Sequence, residues 1–81
     1  MKLVYTESFY RALRNAPPQI RKAFNKQVLL LEGNLRHPSL QAKKYDEKRS
    51  IWQGRVNRSW RFYFLIKSDA YVLLDIIPHP K

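Results

Sequence analysis

The sequence predicts a small α+β fold, in which a helical hairpin covers one face of a mainly antiparallel sheet in the order β-α-α-β-β-β. Three observations support this fold class. Residues 20 to 35 carry apolar side chains at helical spacing, whereas the residues from 51 onward alternate with a period of two. Two adjacent prolines, Pro17 and Pro18, separate two helical segments. We therefore expect the helices in the first half of the chain and most strands in the second.

The first half is predicted to contain one strand and two helices. Residues 2 to 5 include the apolar run of a first strand, and Thr6 follows as a helix N-cap. The second helix carries a core-facing stripe that consists of Ile20, Phe24, Val28, Leu31 and Leu35. Pro38 prevents its continuation, and residues 39 to 50 are charged and aperiodic, so we expect them to form a loop.

The second half is predicted to form three strands, over residues 51 to 56, 60 to 67 and 71 to 77. Side chains alternate between the two faces of a strand, so Trp60 and Phe62 should face the helices while Arg61 and Tyr63 share the opposite face. The expected core residues are Ile20, Phe24, Val28, Leu31, Trp60, Phe62, Phe64, Leu74 and Ile76.

Composition indicates a single domain, residues 1 to 81, that is soluble, cytoplasmic and bound to a polyanion. The chain has 81 residues, 44% of them hydrophobic, and no cysteine. No apolar run is long enough to span a bilayer, and no signal peptide is recognisable. Sixteen Lys and Arg stand against six Asp and Glu, a net charge of +10, which favours a nucleic acid because each phosphate contact releases counterions. An anionic membrane would require a basic amphipathic helix or a lipid anchor.

Several kinds of enzyme are disfavoured by the residues present. His37 and His79 are the only histidines, and the six acidic residues are scattered without metal-ligand spacing. Two glycines in the whole chain cannot form a glycine-rich phosphate loop, and no serine or cysteine triad pattern is visible. We therefore expect neither a metal nor a cofactor.

A concentration of cations lies between residues 43 and 61, where the only acidic residues are Asp46 and Glu47. Its members are Lys43, Lys44, Lys48, Arg49, Arg55, Arg58 and Arg61. Arg61 is unusual because it stands in the middle of an aromatic strand, where bulky neighbours would hold its guanidinium upright and partly desolvated. A guanidinium so placed suits bidentate phosphate binding, and Arg55 on the neighbouring strand could join it.

Each of these features also has a purely structural interpretation. Lys48 and Arg49 are typical of a solvated surface. Tyr63 could simply keep its hydroxyl at the surface of the sheet, and His79, between two prolines near the end of the chain, could be an idle tail residue. Trp52 and Trp60 are more typical of a core than of base-stacking platforms.

The chain resembles the RelE/ParE toxin family in the order and spacing of several motifs. These are residues 37 to 40 leading into Lys43-Lys44-Tyr45, then Ile51-Trp52-Gln53-Gly54-Arg55-Val56-Asn57, then Trp60-Arg61-Phe62-Tyr63-Phe64, and an apolar last strand that ends in Pro78-His79-Pro80-Lys81. Each motif alone is degenerate, but together they cover nearly the whole chain.

The resemblance implies a type II toxin that cleaves messenger RNA in the ribosomal A site without a metal, and that an acidic antitoxin partner inhibits. It implies that Arg61 stabilises the phosphorane, that Arg55 assists it, and that His79 or Lys81 lies at the basic position after the last strand. The remaining RNA-binding candidates are Lys43, Lys44, Arg58 and Tyr63. Lys43 and Lys44 occupy the loop position at which some members carry a glutamate base, so the general base stays open.

Two other functions remain open at this point. The ParE branch of the same superfamily inhibits DNA gyrase without nuclease chemistry, and a non-catalytic RNA-binding module would also account for the charge. Intact RNA with blocked supercoiling would indicate the former, and intact RNA with normal supercoiling the latter.

Overall fold

The structure is a computed structural model that describes residues 1 to 79. Its elements, in chain order, are β1 (Lys2–Tyr5), α1 (Glu7–Asn15), α2 (Pro18–Gly33), a 3₁₀ helix (Pro38–Leu40), β2 (Lys43–Asp46), β3 (Ile51–Arg55), β4 (Trp60–Lys67) and β5 (Ala70–Pro78). None of the helices in this part of the chain is long and apolar enough to cross a membrane.

The five strands form one sheet in the order β1-β5-β4-β3-β2, with α1 and α2 packed on one face. The pairs β2–β3, β3–β4 and β4–β5 are antiparallel, and only β1, beside β5, is parallel to its neighbour. The predicted fold class is therefore confirmed, with one short strand added at the edge.

The predicted helix boundaries are largely confirmed. The Thr6 hydroxyl accepts a hydrogen bond from the backbone N–H of Phe9 at 3.2 Å, so Thr6 is the N-cap of α1. The same hydroxyl donates to the Leu73 carbonyl at 2.7 Å, which ties the start of α1 to β5. Pro18 is the first residue of α2, where its missing N–H is not needed. The helix ends at Gly33, so Leu35 packs against the core from outside the helix.

The core lies between the two helices and the covered face of the sheet. Phe24 of α2 meets Phe62 of β4 edge to face, with ring centroids 5.4 Å apart, and both rings are fully buried. Seven of the nine expected core residues are buried; they are Ile20, Phe24, Val28, Leu31, Phe62, Phe64 and Ile76. Trp60 is partly buried and packs against this cluster.

The expectation that Leu74 is a core residue is wrong, because β5 contains an irregularity in its pairing with β4. Tyr63 pairs with Asp75, but the next residue, Phe64, pairs with Leu73, so Leu74 is an extra residue on β5. The shift places Leu73 in the core with no exposed surface, while Leu74 is only partly buried.

The prediction of a loop over residues 39 to 50 is also wrong. This segment contains the end of the 3₁₀ helix and the edge strand β2, in which Lys43 pairs with Gln53 and Lys44 with Trp52. The side chains of β2 are largely exposed, so the strand lacks the apolar alternation that would have revealed it.

Gly54 of β3 allows the central packing of the sheet. It pairs directly with Phe62, and a Cβ at this position would lie 2.6 Å from Cε1 of the Phe62 ring and closer still to Cζ. The ring therefore lies over the glycine, which is a close approach that any larger residue would prevent.

Candidate functional site

The face of the sheet opposite the helices carries the sequence-predicted site; we call it the open face. Phe62 and Phe64 point into the core, so the alternate residues of β4, Arg61 and Tyr63, lie on the open face, as predicted. The strand register adds further open-face positions, which are Lys43, Gln53, Arg55, Asp75 and Ile77.

Arg55 and Arg61 are direct cross-strand partners between β3 and β4. Both are partly buried. Opposed positions of an antiparallel pair have Cβ atoms only about 5 Å apart, and like charges there are destabilising. Two arginines at facing positions concentrate positive charge on this part of the open face, which is suited to a phosphate group.

The Arg61 side chain is fixed by its own turn. Its Nη1 donates to the carbonyl of Asn57 at 2.6 Å and to that of Trp60 at 2.9 Å. The guanidinium has five N–H donors, so others remain for a ligand while the group is held in one orientation. The sequence predicts that bulky neighbours restrict the Arg61 side chain. In the structure, two backbone carbonyls also hold it in place.

The turn between β3 and β4 is itself ordered by hydrogen bonds. Asn57 Oδ1 accepts from the backbone N–H groups of Ser59 at 2.8 Å and Trp60 at 2.9 Å. The backbone N–H of His79 donates to the Ser59 carbonyl at 2.6 Å. His79 is exposed and lies at the same end of the sheet as Arg55 and Arg61, since Arg61 pairs with Ile77. Lys81, the other predicted terminal residue, lies outside the described residues.

Tyr63 is on the open face but is not a free surface residue. It is 8% exposed, and its hydroxyl accepts a hydrogen bond from Gln53 Nε2 at 3.0 Å. Tyr45 of β2 lies against it edge to face, at 4.8 Å between centroids, and is 58% exposed. The exposed aromatic surface on this part of the open face is therefore that of Tyr45, which sequence reasoning did not single out.

Lys43 and Lys44 are separated by the sheet, although they are adjacent in sequence. Lys43 pairs with Gln53 and is exposed on the open face. Lys44 pairs with Trp52 on the other face, where its Nζ lies 5.5 Å from the centre of the Trp52 ring and 4.0 Å from Glu47 Oε2. Of the two lysines, only Lys43 joins the arginine pair.

Arg49, another cation of this segment, forms an ion pair within the β2–β3 turn. Arg49 Nε donates to Asp46 Oδ2 at 2.8 Å, and the Arg49 backbone N–H donates to Oδ1 at 3.2 Å. The side-chain hydrogen bond from Arg49, followed by the backbone one, lowers the pKa of Asp46. Arg49 therefore has a local structural role.

Beside the arginine pair, a cleft of about 380 Å³ opens between α2, the 3₁₀ helix and the β3–β4 turn. Its polar walls include Lys26, Gln27, Gln41, Arg55, Asn57 and Arg58. Arg58, one of the residues predicted to bind RNA, is exposed at the turn. Lys26 and Gln41 were not predicted, because the three segments that form the cleft are far apart in sequence and share no local pattern.

Comparison with solved structures identifies the fold. The YoeB/ParE toxin from Agrobacterium tumefaciens matches with a TM-score of 0.80 and 14% identity, covering 99% of this chain and 100% of that one. The RelBE2 toxin–antitoxin complex from Mycobacterium tuberculosis matches with a TM-score of 0.79 and 17% identity, covering 96% of both chains.

A third similar structure is archaeal, the RelE–RelB complex from Pyrococcus horikoshii OT3, with a TM-score of 0.77, 13% identity and coverage of 95% of this chain and 92% of that one. No protein-family model and no curated protein sequence matches the chain. The similarity is thus one of three-dimensional structure. In each of the three comparisons it extends over nearly the full length of this chain and of the matched chain. The chain has the fold of the RelE and ParE toxins.

Proposed function

We propose that this chain is the toxin of a type II toxin–antitoxin system, and that it cleaves messenger RNA as a metal-independent endoribonuclease in the ribosomal A site. The observation that carries the proposal is the direct pairing of Arg55 and Arg61 on the open face. The fold, shared with proteins described as toxins, supports the same conclusion.

The proposed reaction is an internal transesterification. The ribose 2′-oxygen attacks the adjacent phosphorus while the bond to the 5′-oxygen breaks, which leaves a 2′,3′-cyclic phosphate and a 5′-hydroxyl. The phosphorane carries more negative charge than the bound diester, so a fixed guanidinium stabilises it more than it stabilises the substrate. Arg61 is the principal group in this role because its orientation is set before RNA binds, and Arg55 assists from the facing position.

Proton transfer is assigned to the end of the sheet where β5 finishes. One group must accept the proton of the 2′-hydroxyl and another must protonate the leaving oxygen. His79 is the candidate, because an imidazole ring can both accept and donate a proton and the His79 backbone is bonded to the turn beside Arg61. Lys81 is a second candidate by sequence.

RNA binding is assigned to the remaining cations and to Tyr45. Lys43 and Arg58 are exposed on either side of the arginine pair and are suited to flanking phosphates. Tyr45 offers the exposed ring on which a base can stack, with Tyr63 as its support from below. Lys44, on the other face, would contact only RNA that passes around the β2 edge.

The proposed inhibitor is an acidic antitoxin protein that covers the open face in the cytoplasm. A net charge of +10 favours an acidic partner, and burial of Arg55 and Arg61 would mask the RNA site directly. Of the similar structures, that from Mycobacterium tuberculosis is described as a toxin–antitoxin complex and that from Pyrococcus horikoshii OT3 as a RelE–RelB complex.

The test of the proposal is the cleavage rate on programmed ribosomes. Arg61→Ala should lower the rate by about a hundredfold to a thousandfold, corresponding to roughly 3–4 kcal/mol of transition-state stabilisation. Lys48→Ala, in the β2–β3 turn, is the control and should change little. The melting temperature checks folding. Wild-type cleavage by folded Arg61→Ala would overturn the site. Intact RNA with blocked gyrase supercoiling would indicate a ParE-type activity, and intact RNA with normal supercoiling a binding module.

The acid–base assignment has a separate test. His79→Ala should reduce the cleavage rate strongly and change the shape of its pH profile, because the group assigned to proton transfer is removed. Binding of an uncleavable 2′-O-methyl RNA should be unchanged. An unaltered pH–rate profile in the variant would exclude His79 and leave Lys81 as the group to examine.

A further inference from the structure

The cleft between α2, the 3₁₀ helix and the β3–β4 turn has positively charged walls. Lys26 comes from α2, Arg55 from the end of β3 and Arg58 from the turn. Within residues 1 to 79, no acidic side chain lines the cleft. Lys26 and Arg58, two cations from two elements without a counterion in the cleft, attract an anion from solution.

The walls of the cleft are held in place by a polar cluster beneath them. Gln27, only 5% exposed, donates from Nε2 to the Ser39 carbonyl at 3.1 Å and to the Arg55 carbonyl at 2.8 Å. The Ser39 hydroxyl donates to Gln27 Oε1 at 3.2 Å. One side chain thus joins α2, the 3₁₀ helix and β3, so these walls keep their spacing before any ligand enters.

The wall of the cleft that the β3–β4 turn forms is also held in place by hydrogen bonds. The turn that carries Arg58 is fixed by the Asn57 side chain and by Arg61, which bonds the Asn57 carbonyl. The position of Arg58 is therefore coupled to that of the arginine pair. Arg55 connects the two places, since its backbone carbonyl accepts from Gln27 beside the cleft and the residue pairs with Arg61 across the strands.

We propose that this cleft is a second phosphate-binding subsite, which takes a phosphodiester group of the single-stranded RNA beyond the nucleotides at Arg55 and Arg61. The proposal rests on RNA being the substrate. A volume of about 380 Å³ is within the range of small-ligand pockets and accommodates a group the size of one nucleotide. Lys26 and Arg58 bind the phosphate, and Arg55 links the subsite to the reacting phosphate.

Of the described residues that line the cleft, only Ala23 and Val56 are apolar, and neither is large. Polar donors and cations prevail instead, which is typical of contacts to a phosphate backbone. An acidic peptide is the competing occupant and is distinguished by the experiment.

The experiment measures binding of uncleavable 2′-O-methyl RNA of two lengths, a trinucleotide and an octanucleotide, over a range of salt concentrations. The cleft variant is Lys26→Gln with Arg58→Gln. The matched control is Lys22→Gln with Lys48→Gln, which removes the same charge from exposed residues of α2 and the β2–β3 turn that do not line the cleft. Melting temperatures establish that all the proteins are folded.

The cleft variant should bind the octanucleotide about tenfold more weakly than the wild type, which corresponds to two exposed ion pairs. Its logarithmic salt slope should become shallower by about 0.7, the value for one phosphate of the single strand that is no longer neutralised. Trinucleotide binding should weaken much less than octanucleotide binding, and the control variant should show a much smaller loss than the cleft variant on the octanucleotide.

Equal losses in the cleft and control variants would overturn the subsite, because only overall charge would then matter. A similar loss for both RNA lengths would overturn it as well. If a polyglutamate peptide bound the wild type through Lys26 and Arg58 while octanucleotide affinity did not depend on them, the cleft would belong to a protein partner. If the protein cleaved RNA but bound the octanucleotide no more tightly than the trinucleotide, the subsite alone would be refuted. If it bound the octanucleotide more tightly but did not cleave RNA, the nuclease activity alone would be refuted.

Discussion

The two faces of β4 are built from alternate residues of one strand, yet their side chains are held in place by different interactions. Phe62 and Phe64 on the covered face have no exposed surface and contact other rings, such as Phe24. Arg61 and Tyr63 on the open face are arranged by hydrogen bonds, to backbone carbonyls and to Gln53. One face therefore stabilises the fold, and the other holds charge in a fixed geometry.

The open face gives up some stability for this arrangement. A cross-strand pair of like charges, such as Arg55 and Arg61, is unfavourable by a few tenths to about 1 kcal/mol relative to neutral residues. A face designed for stability alone would place an acid or an apolar residue opposite Arg61. The two faces should therefore respond differently when their central residues are truncated.

The largest expected effect on stability is at the covered face. Phe62→Ala should lower the free energy of unfolding by about 3–5 kcal/mol, because it removes a fully buried ring that packs between Phe24 and Gly54. Denaturant unfolding measures this loss. Arg61→Ala, one residue earlier, is the matched comparison and should reduce cleavage with a much smaller change in stability. Similar destabilisation by both substitutions would contradict the division between faces.

The fold could be predicted from sequence because its main signals are local. The stripe of α2 and the alternation of β4 each lie within one element, and Thr6 and Pro18 mark helix starts by their own chemistry. Strand β2 gave no such signal, since Lys43, Lys44 and Tyr45 are all exposed at the sheet edge. The sequence predicts Leu74 in the core, but Leu73 is found there. This difference depends on how β5 pairs with β4, which cannot be read from either strand alone.

The candidate site was predictable only in part, for the same reason. Arg61 was recognisable as a charge inside an aromatic strand, and its face followed from alternation. Its direct opposition to Arg55 required the register across the turn, and the separation of Lys43 from Lys44 required the existence of β2. The cleft beside Arg58 required three distant segments to meet at Gln27.

The smallest expected effect on stability, and the sharpest test of the comparison, is at Arg55. Arg55→Met keeps an unbranched apolar stem of similar length but removes the charge opposite Arg61. Repulsion between the pair is relieved, so stability should stay the same or rise by up to about 1 kcal/mol. Cleavage should fall, since the phosphate then meets one guanidinium instead of two. Thermal unfolding and the cleavage rate, measured on the same preparation, check both expectations.

Because the Arg61 hydrogen bonds to the turn do not involve the Arg55 side chain, a loss of activity cannot be attributed to a displaced turn. A variant that lost stability and kept full activity would mean that Arg55 is a structural residue of β3, and that the positive charge of the open face is not its function.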